Sequence, residues 1–220
     1  IDSNNYFLDI RPSIDADHCY DIALAFDNSS TMSAPTLSRV TEAGKAFIDS
    51  MLQPCQSASI ISFADRPTLH TFLGNDHDVS KQAFDDMKPG GKRVLYDALY
   101  AGMVEMEENG RQGQALVMAL TTGSDNGSSI DQQRLLESAR RWRIRLFVFG
   151  LGIATPDTEI VTLCRETGGL YFSVPNEDSL LVMLTDFEGF VQRSYDEYRL
   201  VRRTPNTLMQ DVLIRLRLEA

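Results

Sequence analysis

The sequence of 220 residues has few of the residue types that build metal sites and disulfide frameworks, with only three cysteines and three histidines. Cys19, Cys55 and Cys164 are far apart and form no Cys-x-x-Cys pair, which argues against a zinc site. An odd number leaves at least one of them unpaired within the monomer. We expect buried structural thiols, with one bridge such as Cys19–Cys55 as the alternative.

Long apolar runs and an excess of positive charge are also absent. No uninterrupted apolar stretch reaches the roughly 18 residues that a membrane-spanning helix needs. Aspartate and glutamate outnumber lysine and arginine by 31 to 21, which gives a net charge of −10. Nucleic acid and anionic membranes are therefore poor partners, and we expect no membrane insertion. The compartment stays open between secreted or cell-surface and intracellular.

Catalytic signatures are scarce. The sequence contains neither a Gly-x-Ser-x-Gly elbow nor a phosphate-binding loop of the Walker type. A serine-dependent enzyme would need Ser29 or Ser30 as its nucleophile and His18, His70 or His77 as the base, and none of these histidines lies in a recognisable catalytic motif. We therefore expect no enzymatic activity and keep a serine hydrolase as the weakest alternative.

Apolar segments typical of strands alternate along the sequence with amphipathic segments typical of helices. Residues 20–26 are nearly all apolar, as in a central parallel strand that is covered on both faces. Residues 37–51 carry apolar side chains at helical spacing. The alternation predicts an α/β fold, a doubly wound, mostly parallel sheet with helices on both faces. Further strands are predicted at 59–63, 68–72, 115–121, 145–150 and 170–174, and further helices at 81–87, 95–106, 133–142, 156–167 and 179–192.

Both ends of the chain depart from this rhythm. Residues 6–11, 198–201 and 212–218 have the period-two pattern of strands. We expect them to form a small antiparallel addition at a sheet edge or beside the main fold. The sequence thus predicts one domain over residues 1–220, with a core of about 19–200 and flanking edge strands at 1–18 and 201–220.

Polar residues follow the first central strand at once, in the segment Asp27-Asn28-Ser29-Ser30-Thr31-Met32. An aspartate and two hydroxyl residues at alternate positions can direct their oxygens at one point, which is the ligand chemistry that Mg²⁺ requires. The alternative is that Asp27, Ser29 and Thr31 satisfy main-chain amides in a tight loop and cap the following helix. This segment alone does not decide between the two.

Two further segments extend the pattern. Residues 90–99 read GGKRVLYDAL, and residues 121–126 read TTGSDN. In order and spacing, the three segments resemble the D-x-S-x-S, Gly-Gly-Thr and Thr-Asp-Gly motifs of von Willebrand factor A domains, and most of all those of bacterial members. The likeness runs from about Asp21 to Leu200. It implies a doubly wound module that binds other proteins non-covalently.

In this family a divalent cation is bound at the metal-ion-dependent adhesion site. The ligands are the aspartate and two hydroxyls of the first motif, a threonine of the second and an aspartate of the third, and a partner's carboxylate often completes the shell. Asp27, Ser29 and Thr31 match the first motif, because threonine keeps the hydroxyl of the final serine. The resemblance therefore implies these three residues as metal ligands.

The second and third motifs depart from the family pattern. Arg93 stands at the threonine position when the alignment follows Leu95-Tyr96-Asp97, and Lys92 stands there when it follows the two glycines. Thr122 replaces the third-motif aspartate. A guanidinium roughly 5 Å from a dication would repel it by about 6 to 7 kcal/mol at an effective dielectric constant near 20. We expect weak or absent metal binding, so no cofactor, with weak Mg²⁺ binding as the alternative.

A basic side chain has two possible roles at this place. Arg93 or Lys92 takes the place of the metal and pairs with Asp27, with spare donors for a partner's carboxylate, or it is merely solvated. Asp97 is expected to accept hydrogen bonds in a helix or a loop, and Asp125 to cap a loop, rather than to bind metal.

The expected function is a non-catalytic protein-binding module. It uses the loop face around Asp27, Arg93 and Thr122, or a binding surface elsewhere, for a protein partner whose identity the sequence does not tell. The first alternative is a metal-dependent adhesin or receptor domain. Dependence of binding on a divalent cation would distinguish this alternative from the expected function. A purely structural role, in which edge strands pack against another part of a longer chain, is a further alternative.

Overall fold

The computed structural model of the chain describes residues 7–12, 19–194, 198–203 and 211–213. The chain divides into two compact units, Tyr20–Thr185 on the one hand and Ile1–Cys19 with Asp186–Ala220 on the other. The strands are β1 (Phe7–Pro12), β2 (Asp21–Asp27), β3 (Ser57–Phe63), β4 (Pro67–Gly74), β5 (Ala115–Thr121), β6 (Arg145–Leu151), β7 (Tyr171–Val174), β8 (Tyr198–Arg203) and β9 (Asp211–Leu213). The helices are α1 (Ala34–Met51), α2 (His77–Gln82), α3 (Leu95–Asn109), α4 (Gln132–Trp142), α5 (Thr158–Glu166) and α6 (Leu180–Ser194), the last preceded by a 3₁₀ turn at Glu177–Ser179.

The larger unit is built on a six-stranded sheet in the order β4-β3-β2-β5-β6-β7. All neighbouring strands are parallel except β3 and β4, which are antiparallel. The chain runs outward from β2 to β4 and then returns to β5 on the other side of β2. The strand order therefore reverses between β2 and β5, and ligands of doubly wound sheets bind in the crevice at the carboxyl ends of such strands.

Helices cover both faces of this sheet. Successive residues of a strand point to opposite faces. Ala25 of β2 belongs to a buried apolar cluster with Leu99 of α3. Its neighbour Phe26 points the other way, where its ring centroid lies 4.9 Å from that of Phe84 and both rings pack against Gly44 of α1. The predicted fold class is confirmed.

Helix α3, which follows the second motif, begins without a side-chain cap of its own. The free amides of its first turn are satisfied from the loop after β5 instead. Tyr96 N donates to Asp125 Oδ1 at 3.2 Å, and Asp97 N donates to Ser128 Oγ at 3.0 Å. Because unpaired amides at a helix start need acceptors, these contacts join the loops that carry the second and third motifs.

The short helix after β4 lies earlier in the chain than the predicted 81–87. Helix α2 occupies His77–Gln82 because the carboxylate of Asp76 accepts from the amides of Asp78 and Val79, at 2.9 and 3.0 Å. Residues 83–86 form turns. The capping aspartate was the local signal that apolar periodicity overlooked.

The expectation of buried thiols holds for only one cysteine. Cys164 is free and buried, and burial raises the pKa of its thiol to about 12. Cys19 and Cys55 are disulfide-bonded, so the prediction of free thiols was wrong for them. Bonding depends on how closely the fold brings two Cα atoms together, which spacing along the chain does not reveal.

The smaller unit contains an antiparallel sheet in the order β1-β8-β9. This confirms the predicted antiparallel terminal strands, although residue 6 and residues 214–218 of the predicted strands lie outside the described residues. None of the helices in the described part of the chain is long and apolar enough to cross a membrane.

Candidate functional site

Asp27 ends β2 at the edge of the sheet where the strand order reverses, and it is fully buried. Its Oδ1 accepts from Ser29 N at 2.8 Å, and its Oδ2 accepts from Thr122 N at 2.9 Å and from Thr122 Oγ1 at 2.8 Å. Burial raises the pKa of Asp27, but the hydrogen bonds from Ser29 and Thr122 outweigh burial, so the pKa lies below the ordinary value of 3.8. A buried, ionised carboxylate results, which needs a cation nearby.

Arg93 supplies that cation from the loop before α3. Its Nε donates to Asp27 Oδ2 at 2.9 Å, and its Nη1 donates to the main-chain oxygen of Ser124 at 3.1 Å. Its Nη2 donates to Thr122 Oγ1 at 3.2 Å and to Thr31 Oγ1. A guanidinium carries five N–H groups, and these contacts use four. The side chain is only 8% exposed. It is therefore buried between the loops after β2 and β5, and its hydrogen bonds connect them.

The main chain and a glycine hold Arg93 in this place. Arg93 N donates to Asn126 Oδ1 at 2.7 Å, and Asn126 N donates back to the oxygen of Arg93 at 3.0 Å. Gly123 leaves room for the guanidinium, because a Cβ there would lie 2.5 Å from Nη1 of Arg93. The loop after β5 is thus wrapped around Arg93.

The two hydroxyls of the first motif complete the cluster. Ser29 is buried, and its Oγ lies 3.1 Å from Thr31 Oγ1. Thr31 Oγ1 lies in turn 3.3 Å from Thr122 Oγ1. The structure therefore brings together all five residues that the sequence singled out. Their role in binding stays a prediction.

Lys92 takes no part in this cluster. Its side chain is exposed, and its main-chain N–H donates to Asp65 Oδ1 at 2.9 Å. Of the two basic residues that the alternative alignments place at the second-motif threonine, the structure therefore brings Arg93 and not Lys92 into contact with Asp27.

The cluster does not fit a divalent cation. Mg²⁺ and Ca²⁺ need about six or more oxygen ligands at roughly 2.0 to 2.6 Å. Here the oxygens of Asp27, Thr31 and Thr122 already accept hydrogen bonds from Arg93, whose guanidinium lies among them. Among the residues that the structure describes, no three His, Cys, Asp or Glu side chains group as metal ligands.

Asp97 in the first turn of α3 and Asp125 in the loop after β5 both accept hydrogen bonds, as expected. Asp97 accepts from the amides of Ser129 and Ile130, at distances from 2.8 to 3.0 Å. Asp125 accepts from Tyr96 N and from the amide and hydroxyl of Ser128.

Sequence reasoning missed three contributors to the site, Gly123, Ser124 and Asn126. The glycine follows Thr122 as in the family motif, so it was visible as a signal of close packing. The carbonyl of Ser124 and the amide of Asn126 depend on the path of the loop and left no sequence signal.

The histidines lie elsewhere. His70 Nε2 is 2.8 Å from Ser62 Oγ, and His77 Nε2 is 2.9 Å from the main-chain oxygen of Leu52. His18 is outside the described residues. In the part of the chain with described side chains, no histidine forms a hydrogen bond with Ser29 or Ser30.

The order of the strands, the loop cluster at their carboxyl ends and the three motifs agree with one family. The family model described as von Willebrand factor type A domain matches residues 21–187. The chain belongs to this family. No curated protein matches it.

Solved structures share the fold of this von Willebrand factor A domain. Proximal thread matrix protein 1 from the mussel byssus is 22% identical with a TM-score of 0.67, over 79% of this chain and 46% of that one. A D319A mutant of the PilB minor pilin from Streptococcus sanguinis is 14% identical with a TM-score of 0.68, over 82% and 63%. A von Willebrand factor type A protein from Catenulispora acidiphila is 14% identical with a TM-score of 0.69, over 88% and 50%. The chain therefore spans less than two thirds of the length of each, and the likeness shows the fold alone.

Proposed function

We propose that this domain binds protein partners non-covalently, without catalysis and without a divalent cation. One observation carries the proposal: the guanidinium of Arg93 is hydrogen-bonded to Asp27, Thr31 and Thr122, the residues that the motifs align with ligands of the family's cation. In this proposal the positive charge of Arg93 takes the place of that cation.

Binding is supported by the hydrogen bonds that hold the loops of this face together. Main-chain hydrogen bonds join the loops directly, from Ser30 N to the oxygen of Gly91 at 3.0 Å and from Gly90 N to that of Asn28 at 2.8 Å. A preformed surface loses less conformational entropy when a partner binds. A minor pilin and a thread matrix protein are among the structures that share the fold, and this support is an analogy of fold.

The surroundings of the two candidate nucleophiles, Ser29 and Ser30, support the proposed absence of catalysis. Ser29 is buried, with its hydroxyl near that of Thr31, and Ser30 is exposed. A serine nucleophile needs a base within hydrogen-bond reach, and the described histidines contact other residues.

The alternative is a working metal-dependent adhesin. It would require Arg93 to leave the cluster and so to give up four hydrogen bonds. Thr122 would still bring no second carboxylate to compensate the charge of Mg²⁺. The geometry therefore favours binding without metal.

The first prediction is that divalent cations neither bind tightly to the native domain nor change its stability, whereas Arg93→Thr combined with Thr122→Asp creates a cation site. The double change removes the competing charge and restores an oxygen shell around Asp27. A site with a Kd of about 10 µM would stabilise the folded state by ~2.7 kcal/mol at 1 mM cation, which raises the Tm by roughly 5 to 10 °C. Titration calorimetry and thermal unfolding with Mg²⁺, Mn²⁺ and EDTA measure both effects.

The matched control is Lys92→Thr with Thr122→Asp, which removes an exposed cation and leaves Arg93 in place. This variant should stay insensitive to cations. Low-micromolar binding of Mg²⁺ or Mn²⁺ by the native chain would contradict the proposal, and so would a folded Arg93→Thr, Thr122→Asp variant that binds no cation.

A further inference from the structure

Strand β4 forms one edge of the six-stranded sheet, and no other strand of the described residues pairs with its outer side. With eight residues it is the longest strand of that sheet. Alternate N–H and C=O groups of an edge strand point away from its neighbour and can pair with a further strand. Among the β4 amides, that of Leu73 donates to a side chain of the same chain, Glu105 Oε1 at 2.8 Å. The rest of β4 offers an open edge to a further strand.

Residues 68–74 lack the side chains that protect such an edge. Charged residues and proline on edge strands oppose pairing with another chain. The segment reads TLHTFLG, without Asp, Glu, Lys, Arg or Pro. In a chain with a net charge of −10, this strand is a place where two copies can approach each other with little electrostatic repulsion.

An aromatic side chain is exposed on this strand. Phe72 is 75% exposed, more than any other large apolar side chain among the described residues, and Leu69 is 38% exposed. The pairing of β4 with β3 shifts register on both sides of the pair Ile60–Thr71, and such bulges re-aim neighbouring side chains. Burial of the two exposed apolar side chains against a partner is favourable.

The two ends of β4 carry exposed charges of opposite sign. Arg66 directly precedes the strand, is exposed and forms no ion pair with any residue that the structure describes, while its neighbour Asp65 accepts from the loop before α3. Asp76 and Asp78 follow the strand and are exposed, with Asp78 Oδ1 3.7 Å from Lys81 Nζ. The strand is about 27 Å long, so Arg66 does not reach these carboxylates within one chain. When two β4 strands lie antiparallel, each Arg66 comes next to the acidic end of the other copy.

We propose that two copies of this chain associate through their β4 strands, which lie side by side and antiparallel. A two-fold axis relates the copies, so each contact occurs twice. Phe72 and Leu69 are buried in the contact, and Arg66 of each copy pairs with the acidic end of the other. The strand of another protein would also fit an open edge, but a second copy supplies both the charge-free strand and the complementary ends. This inference goes beyond the proposed function and does not depend on the Arg93 cluster.

Sedimentation velocity of the full chain over a concentration series measures the dissociation constant of the dimer. Phe72→Ser should weaken self-association by at least about tenfold, because buried aromatic side chains contribute strongly to interfaces. Val182→Ser is the matched control, since Val182 of α6 is also exposed, at 62%, and it should leave the constant unchanged. Thermal unfolding checks that both variants fold. A chain that stays monomeric at every concentration, or a Phe72→Ser variant that dimerises as tightly as the native chain, overturns the inference.

A charge swap tests the antiparallel alignment. Arg66→Glu should weaken self-association by about fivefold, since two exposed ion pairs are lost, and Asp78→Arg added to it should restore most of the affinity. The two positions are too far apart to pair within one chain, so restoration reports a contact between copies. Asp78 is chosen because Asp76 also caps α2. If the second change restores nothing, the antiparallel alignment is wrong.

Hydrogen exchange separates the pairing of strands from a contact of side chains alone. Above the dissociation constant, the amides of residues 68–72 should exchange at least about tenfold more slowly than below it, because pairing protects them. Residues 116–120 of β5, which is paired on both sides in the monomer, are the internal control and should not change. Dimers without this protection, or β4 amides that become protected only when a different protein is added, contradict the pairing of two copies.

Discussion

Asp27 and Arg93 form an ion pair from which water is almost excluded, with side-chain exposures of 0% and 8%. Removing two charges from water costs several kcal/mol per ion, and their attraction repays this only when the remaining polar atoms are satisfied as well. Both oxygens of Asp27 and four N–H groups of Arg93 are satisfied here. The pair therefore fixes the arrangement of the loops more than it adds to the free energy of folding.

The second prediction follows from this balance. Asp27→Asn and Arg93→Met should each lower the free energy of unfolding by about 3 to 5 kcal/mol, because each leaves a buried group without its partner. The double variant should cost less than the sum. Urea unfolding of the four proteins gives the coupling energy.

The exposed pair Arg140–Glu166, with 2.8 Å between Nη2 and Oε2, is the matched control for this cycle. Its coupling should stay below about 1 kcal/mol. Strict additivity at Asp27 and Arg93 would show that the two side chains do not act as a pair.

The third prediction concerns pH. The pKa of Asp27 is lower in the folded chain than its ordinary value of 3.8, so the unfolded state takes up a proton first as the pH falls. The stability that this carboxylate contributes is fully present above the unfolded pKa and is lost as the pH falls through the folded pKa. The difference in unfolding free energy between the native chain and Asp27→Asn should therefore be constant above ~pH 5 and shrink below pH 3.8. A difference that grows on acidification would contradict the lowered pKa.

Among the elements, the loop of residues 88–94 does most to shape the site. Gly91 has φ +77°, and a Cβ there would lie 2.7 Å from Asp65 Oδ2. Its carbonyl accepts from Ser30 N. The loop is thus held by its main chain against two neighbouring loops, with Lys92 outside and Arg93 inside.

The fourth prediction compares the two glycines of this loop. Gly91→Ala should lower the free energy of unfolding by about 1 to 3 kcal/mol, because an L-residue is strained at positive φ and its Cβ meets Asp65. Gly90→Ala is the matched control, since a Cβ there meets nothing within 4 Å, and it should change stability by less than about 1 kcal/mol. Thermal and urea unfolding measure both. Equal losses for the two variants would show that neither φ nor the contact with Asp65 matters.

Elements were predictable where their signal is local. Strand β5 was predicted with the bounds that it has, because an uninterrupted apolar run marks a strand covered on both faces. Helix α2 was misplaced because its start depends on the capping carboxylate of Asp76. The start of α3 is capped from Asp125 and Ser128, about 30 residues further along the chain, a contact that no local pattern contains.

For the whole molecule, the sequence by itself determined the fold class, the family and four of the five clustered residues, Asp27, Ser29, Thr31 and Thr122, since periodicity and motif order are local properties. The tertiary structure alone decided that Cys19 and Cys55 are disulfide-bonded and that Arg93, not Lys92, pairs with Asp27. Adjacent residues of an extended loop point to opposite sides, and hydrogen bonds to Asp65 and Asn126 set which side faces inward. Those partners lie 27 and 33 residues away along the chain, so only the packing of the loops around β2 and β5 brings them into contact.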